Sequence, residues 1–131
     1  MAGGERGGEA WEQAVGPLLS EERACEWLGL SARQLGELAD IRRVLALQER
    51  SGARRYPAWQ FDQAGRPLEP LIAAHRLLVR DGGMSPWSAA AWCVREHPEL
   101  DGRSPREWAA AGEPVDALMR AARRDASRAS R

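Results

Sequence analysis

The sequence contains no lysine, threonine or asparagine, so all 19 basic residues are arginine, beside 23 alanines and 13 glycines. That is the usage of a very GC-rich genome, and part of the arginine excess is codon bias. An arginine here therefore says less about phosphate or carboxylate recognition than it would in a lysine-containing chain. Long apolar runs are also missing, none approaching the about 18 residues that a membrane span needs. Residues 1–16 mix Glu5, Arg6, Glu9 and Glu12 with glycines and lack the apolar segment of a signal peptide or anchor. A cytoplasmic protein without membrane association is expected. The two cysteines, Cys25 and Cys93, lie far apart with no CxxC and no paired Cys/His spacing, which leaves a disulfide framework or a metal centre without support. Two small buried thiols are expected instead, with no metal and no cofactor. Net charge is absent too: 19 acids balance the 19 arginines, so no bulk field marks a generic polyanion binder.

Catalytic signatures are equally scarce. There is no GxGxxG, no P-loop and no Ser-His-Asp or Cys-His set, and the carboxylates are spread over helix surfaces. No catalytic residue is assigned, and the chain reads as something other than an enzyme. His75 falls on the apolar stripe of a helix, where a hydrogen-bonded, partly buried histidine is the expected outcome. At 131 residues the chain fits one ordinary domain or two small ones and is too short for a barrel enzyme.

What is present is a succession of capped helices and one hairpin. Residues 1–16 read as a disordered polar arm, with a short helix around Trp11. Ser20 is an N-cap with Glu21 and Glu22 in the first turn of a helix that Gly29 ends. Ser31 caps a second short helix with Leu35 and Leu38 inward and Arg33, Gln34 and Glu37 outward. Helix, glycine turn, helix is a helix-turn-helix. Arg43 to Gln48 reads as a strand, Glu49 to Ala53 as a turn and Arg54 to Pro57 as the returning strand, which together make a wing. Pro57 belongs at a strand edge or end, having no N–H for a ladder. Gln63 to Pro67 is a turn-rich candidate boundary. Helices then follow from about Pro70 to Arg80, from Ser85-Pro86, from Ser104-Pro105 to Gly112, and from about Pro114 into a basic tail. Apolar groups on more than one side of the helix over 85–95 suggest a surface for another chain.

Leu19 to Ser31 resembles the first helix and turn of excisionase/MerR-like winged helix-turn-helix domains, over about residues 18–61. The resemblance implies that the second helix enters a DNA major groove and that the wing touches the backbone or the minor groove. Ser31, Arg33, Gln34 and Glu37 become base-edge or phosphate contacts, and Arg50, Arg54 and Arg55 wing contacts. Between Asp40 and Arg66 six arginines face three acids, a local surplus that adds Arg42 and Arg43 to the DNA-binding set.

Tyr56 to Asp62, Ser85-Pro86-Trp87, Ala90-Ala91-Trp92 and, above all, Leu100-Asp101-Gly102-Arg103-Ser104-Pro105 leading into Glu107 and Trp108 resemble the MbcA/ParS/Xre family of bacterial antitoxins, over roughly residues 56–122. That resemblance implies a helical toxin-binding domain whose partner is a RES-domain toxin, an enzyme that consumes NAD, with the C-terminal helices covering the toxin's active-site entrance. The partner contacts it implies are Leu100, Arg103, Ser104, Glu107 and Trp108, with Met119 and Arg123 toward the end of the last helix. Read from the residues, Ser104-Pro105 is a helix start and Leu100 and Trp108 are core. Arg103 either meets a partner's carboxylate or bonds locally to Asp101 or Glu107.

The expected protein is mainly α: a small winged helix-turn-helix with one β-hairpin (17–65), a three- to four-helix toxin-binding domain (66–122) and a basic tail (123–131), behind a disordered arm (1–16). The expected function is that of an antitoxin that neutralises a RES-domain toxin and represses its own operon by binding operator DNA, as a homodimer. The rival is a stand-alone transcription regulator whose C-terminal domain only dimerises. A second is an interaction module without DNA binding.

Overall fold

The computed structural model describes residues 11–131. Its N-terminal half is built by short helices that start on serine caps. Ser20 accepts a hydrogen bond from the Arg23 amide at 3.2 Å and opens helix α1 (Glu21–Leu28), whose first turn carries Glu21 and Glu22 against the positive end of the helix dipole. Gly29, at φ 69°, ends it in the left-handed conformation that suits glycine. Helix α2 (Ala32–Asp40) opens on a full capping box: Ser31 accepts from the Gln34 amide, and the Gln34 side chain accepts from the Ser31 amide. The two helices and their turn form the expected helix-turn-helix.

The sheet has three strands, β1 (Leu18–Ser20), β2 (Leu47–Gln48) and β3 (Arg54–Pro57), with β3 central and antiparallel to both neighbours. The hairpin β2–β3 is the expected wing. Strand β1 was not expected, because three residues ahead of a helix cap carry no alternation to read. Leu18 pairs with Pro57 and Leu19 with Tyr56. Pro57 sits at the last position of its strand, as its missing N–H requires.

The expected strand from Arg43 to Gln48 is shorter, for a physical reason. The Leu45 amide donates to Gln60 Oε1 at 2.7 Å and the Gln60 side-chain amide donates to the Leu45 carbonyl at 2.7 Å. A buried side chain takes the place of a strand neighbour there, and ladder pairing begins only at Leu47.

The C-terminal half is four helices: α3 (Glu69–Arg80), α4 (Pro86–Val94), α5 (Pro105–Ala110) and α6 (Val115–Ala129). Helices α4 and α5 begin as Ser-Pro, with the serine as cap and the proline in the first helical turn. Their core gathers Leu71, Leu78, Trp92, Leu100, Trp108 and Leu118, and a separate core under the helix-turn-helix gathers Ala24, Leu35, Val44, Tyr56 and Phe61. A third cluster joins the halves: Val15, Leu45, Leu47 and Ala90, flanked by Trp59, Trp87 and Ala91. The apolar second side of α4, expected to face another chain, is used here, with Trp87 Nε1–H donating to the Gln48 carbonyl of the wing at 3.0 Å.

Two expected boundaries also shift. Residues 11–15 form the short helix expected around Trp11, but they are not part of a free arm: Val15 is wholly buried, and its carbonyl accepts from Trp59 Nε1–H at 2.6 Å. The rest of that arm, residues 1–10, lies outside the described residues. The basic tail is not separate either, since α6 runs through it to Ala129 with Ala126 buried against the Gly82 turn. No helix among the described residues is long and apolar enough to cross a membrane.

Candidate nucleic-acid interface and partner surface

The capping box turns the start of α2 outward. Ser31, Ala32, Arg33, Gln34, Glu37 and Asp40 are all exposed, while Leu35 is wholly buried beneath them. Ser31 and Gln34 spend one bond each on the cap but remain at the surface. Arg33 Nε meets Glu37 at 3.1 Å, one turn on, with side chains 89% and 65% exposed. A pair so exposed contributes little and a phosphate can displace it.

The wing arginines divide by partner. Arg54 donates to Asp40 at 2.7 Å and, through its other nitrogen, to the Gly36 carbonyl at 3.5 Å, which ties the wing to the back of α2. The Asp40 bond holds the Arg54 guanidinium above its ordinary pKa. Arg55 pairs with Glu49 across the hairpin at 3.3 Å. Both side chains are braces within the fold. Arg42, Arg43 and Arg50 are exposed and meet no acid among the described residues. Arg42 stands at φ 60°, where helix ends usually place glycine, and its carbonyl accepts from Arg76 on α3 at 3.1 Å. Arg42, Arg54 and Arg76 line a cleft of about 370 Å³ between the end of α2 and α3. His75 borders it with Nε2 2.9 Å from the Pro86 carbonyl, and burial pulls its pKa down to about 4. It is buried and hydrogen-bonded, as its place on the apolar stripe implies.

The residues assigned to a toxin partner divide between core and surface. Leu100 is wholly buried and Ser104 is 2% exposed, so neither offers surface. Ser104 instead builds a capping box with Glu107: each backbone amide donates to the other's side chain, and the Ser104 hydroxyl donates to Glu107 Oε1 at 2.8 Å. The Ser104 amide, and after it the hydroxyl, hold the Glu107 carboxyl below the usual range. Trp108 is 7% exposed, and its Nε1–H donates to the Pro114 carbonyl at 2.9 Å. Arg103 pairs with Glu113 and lies over the Trp108 ring at 4.7 Å from its centroid. Its local partner is thus neither Asp101 nor Glu107, because the turn after α5 carries Glu113 back beside it. Glu107 and Arg123 are exposed and Arg103 and Met119 are half-buried, so these four keep surface.

Cys93 is wholly buried, which pushes its thiol pKa up, and Cys25 is partly exposed. One group was missed from the sequence. His97, Glu99 and Asp125 each present a donor atom within 4.8 Å of the others, a set able to hold a metal ion. The His97-x-Glu99 spacing was legible, but Asp125 arrives only when α6 folds back.

Set beside known proteins, the chain is similar to the NMR structure of Rv2175c, with a TM-score of 0.57, 19% identity, and coverage of 87% of this chain and 79% of that one. At that identity the likeness shows the fold, mainly helical with a small three-stranded antiparallel sheet. No protein-family model matches the chain, and no curated protein matches it.

Proposed function

We propose that the chain is a DNA-binding regulator in which α2 reads the major groove, the β2–β3 wing meets neighbouring phosphates, and the helical half serves as scaffold and dimerisation unit. The observation that carries this reading is the charge left over at the helix-turn-helix. Asp40 and Glu49 are taken by Arg54 and Arg55, while Arg42, Arg43 and Arg50 remain exposed beside a recognition helix with a polar outer face. Such cations supply sequence-independent affinity by releasing counterions, and Ser31, Arg33 and Gln34 are the side chains within reach of base edges. One short helix reads too few base pairs for useful specificity, so a homodimer on a palindromic operator in the cytoplasm completes the reading.

The test is a mobility shift on the DNA upstream of the gene, repeated as salt rises. Binding should weaken steeply, and Arg43→Ala with Arg50→Ala should flatten the salt dependence by about one unit of slope per lost phosphate contact. No binding at low salt, or an unchanged slope, refutes the interface.

A second reading retains the antitoxin. Glu107, Met119 and Arg123 keep surface beside the Leu100–Trp108 turn, and a RES-domain toxin docked there would meet them. Co-expression with such a toxin should restore growth and yield a stable complex, and an unrescued host without a complex removes this reading and leaves DNA binding untouched.

A further inference from the structure

Outside the DNA-facing surface, the turn between α4 and α5 brings a buried histidine against two carboxylates. His97 is 5% exposed, with its ring against Trp92 at 4.7 Å between centroids. Its Nε2 lies 3.1 Å from the Trp92 carbonyl. A carbonyl only accepts, so Nε2 carries the hydrogen, and in the neutral ring Nδ1 presents its lone pair. That lone pair faces Asp125 Oδ2 at 4.0 Å, too far for a hydrogen bond. With the ring neutral, two acceptors stand close together with no hydrogen between them, an arrangement that a cation bound to both would relieve, and Glu99 completes the set with its donor atom within 4.8 Å of the other two.

Trp92, 1% exposed, fixes both inner members at once. Its carbonyl sets the His97 tautomer, and its indole N–H donates to Asp125 Oδ2 at 2.7 Å. Hydrogen bonds from outside the ligand set that orient an imidazole and a carboxylate are the support that metal sites use.

We propose that His97, Glu99 and Asp125 bind a Zn²⁺ ion, with water completing the coordination. Imidazole nitrogen and carboxylate oxygen bind zinc at about 2.0 to 2.2 Å, so donors in a tetrahedral site sit about 3.3 Å apart. The His97–Asp125 pair at 4.0 Å needs a closure of less than about 1 Å, and Glu99, with a side chain 27% exposed, supplies the larger movement. Arg124 lies 3.8 Å from Glu99 and Arg128 3.7 Å from Asp125. These two guanidiniums offset the carboxylates without the ion and, being mostly exposed, swing aside when it binds. Their charge holds the affinity to the micromolar range. The ion staples the turn that carries Arg103 to the last helix.

The experiment is calorimetric titration of the purified full chain, tag removed, with zinc chloride. Cys25→Ser serves as background, so that the partly exposed thiol contributes nothing. One equivalent should bind with micromolar affinity and raise the melting temperature. Glu99→Gln and Asp125→Asn, which keep side-chain shape and, at 125, the acceptor for Trp92, should each weaken binding by about tenfold or more. Arg124→Ala should strengthen it, an outcome that a purely structural role for Glu99 does not produce. Absence of saturation up to millimolar zinc, or an affinity in Glu99→Gln and Asp125→Asn equal to the parent's, overturns the site.

Discussion

Replacing Gln60 by methionine tests the account of how the wing is entered. The side chain is 0% exposed and makes two hydrogen bonds, both 2.7 Å, to the amide and carbonyl of Leu45, itself 4% exposed. Methionine keeps the unbranched shape and removes both partners. Each backbone group left buried and unpaired costs about 1 to 3 kcal/mol, or about 2 to 6 for the pair. A thioether regains up to about 2 kcal/mol of that through its apolar character. A net loss of about 2 to 3 kcal/mol is expected, and for 131 residues that lowers the melting temperature by about 8 to 12 °C. Tyr56→Phe is the internal control. Tyr56 is also wholly buried, but its hydroxyl makes no well-formed hydrogen bond and only approaches the Arg54 guanidinium, which is held by Asp40, so removing it strands little and should be neutral or stabilising by up to about 1 kcal/mol. Urea denaturation of the three proteins gives the free energies, and hydrogen exchange at the Leu45 amide gives the local effect. A Gln60→Met protein within about 0.5 kcal/mol of the parent, or a Tyr56→Phe protein that loses as much as it does, would refute the reasoning.

Glycine-to-alanine substitutions should take opposite signs at two sites. At Gly82 a methyl would lie 2.5 Å from the Leu78 carbonyl and 3.0 Å from Ala126 Cα, so Gly82→Ala should destabilise by about 1 to 3 kcal/mol. At Gly36, inside α2, it meets nothing within 4 Å, and Gly36→Ala should stabilise by up to about 1 kcal/mol; thermal melts that reverse this order count against the α3–α6 packing described. Arg42→Gly relieves a left-handed residue at φ 60° and should raise the melting temperature, while DNA affinity falls under the proposed function; a drop in stability contradicts the strain. His75 is buried neutral, with its pKa lowered from 6.5 to about 4, so its contribution to stability is complete above about pH 6.5 and is lost as pH falls toward 4. Its ring resonances in an NMR titration should move near pH 4, and a midpoint near 6.5 rules out the burial described.

Much of the fold is legible where local chemistry acts alone. Ser20, Ser31, Ser85 and Ser104 each begin a helix because a serine oxygen can reach an amide three residues on, a contact that needs nothing from the rest of the chain. The apolar face of α3, Leu71, Ile72, His75 and Leu78, follows from helical period in the same way. Strand β1 was hidden because its only support is β3, distant in sequence. For the candidate sites the divide falls at pairing. The arginine surplus between Asp40 and Arg66 can be counted in the sequence, but that Arg54 and Arg55 are braced and Arg42, Arg43 and Arg50 are left over cannot.

The sequence by itself determined where most helices begin, that a helix-turn-helix and a hairpin precede four helices, and that no helix among the described residues is long and apolar enough to span a membrane. Those properties rest on interactions within a few residues or on composition. The tertiary structure alone decided that the two halves share a core, that Ser104 is buried and Arg103 is paired with Glu113, and that His97, Glu99 and Asp125 converge. Each of these needs segments brought together by burial of apolar surface, which is non-directional and depends on the whole chain at once.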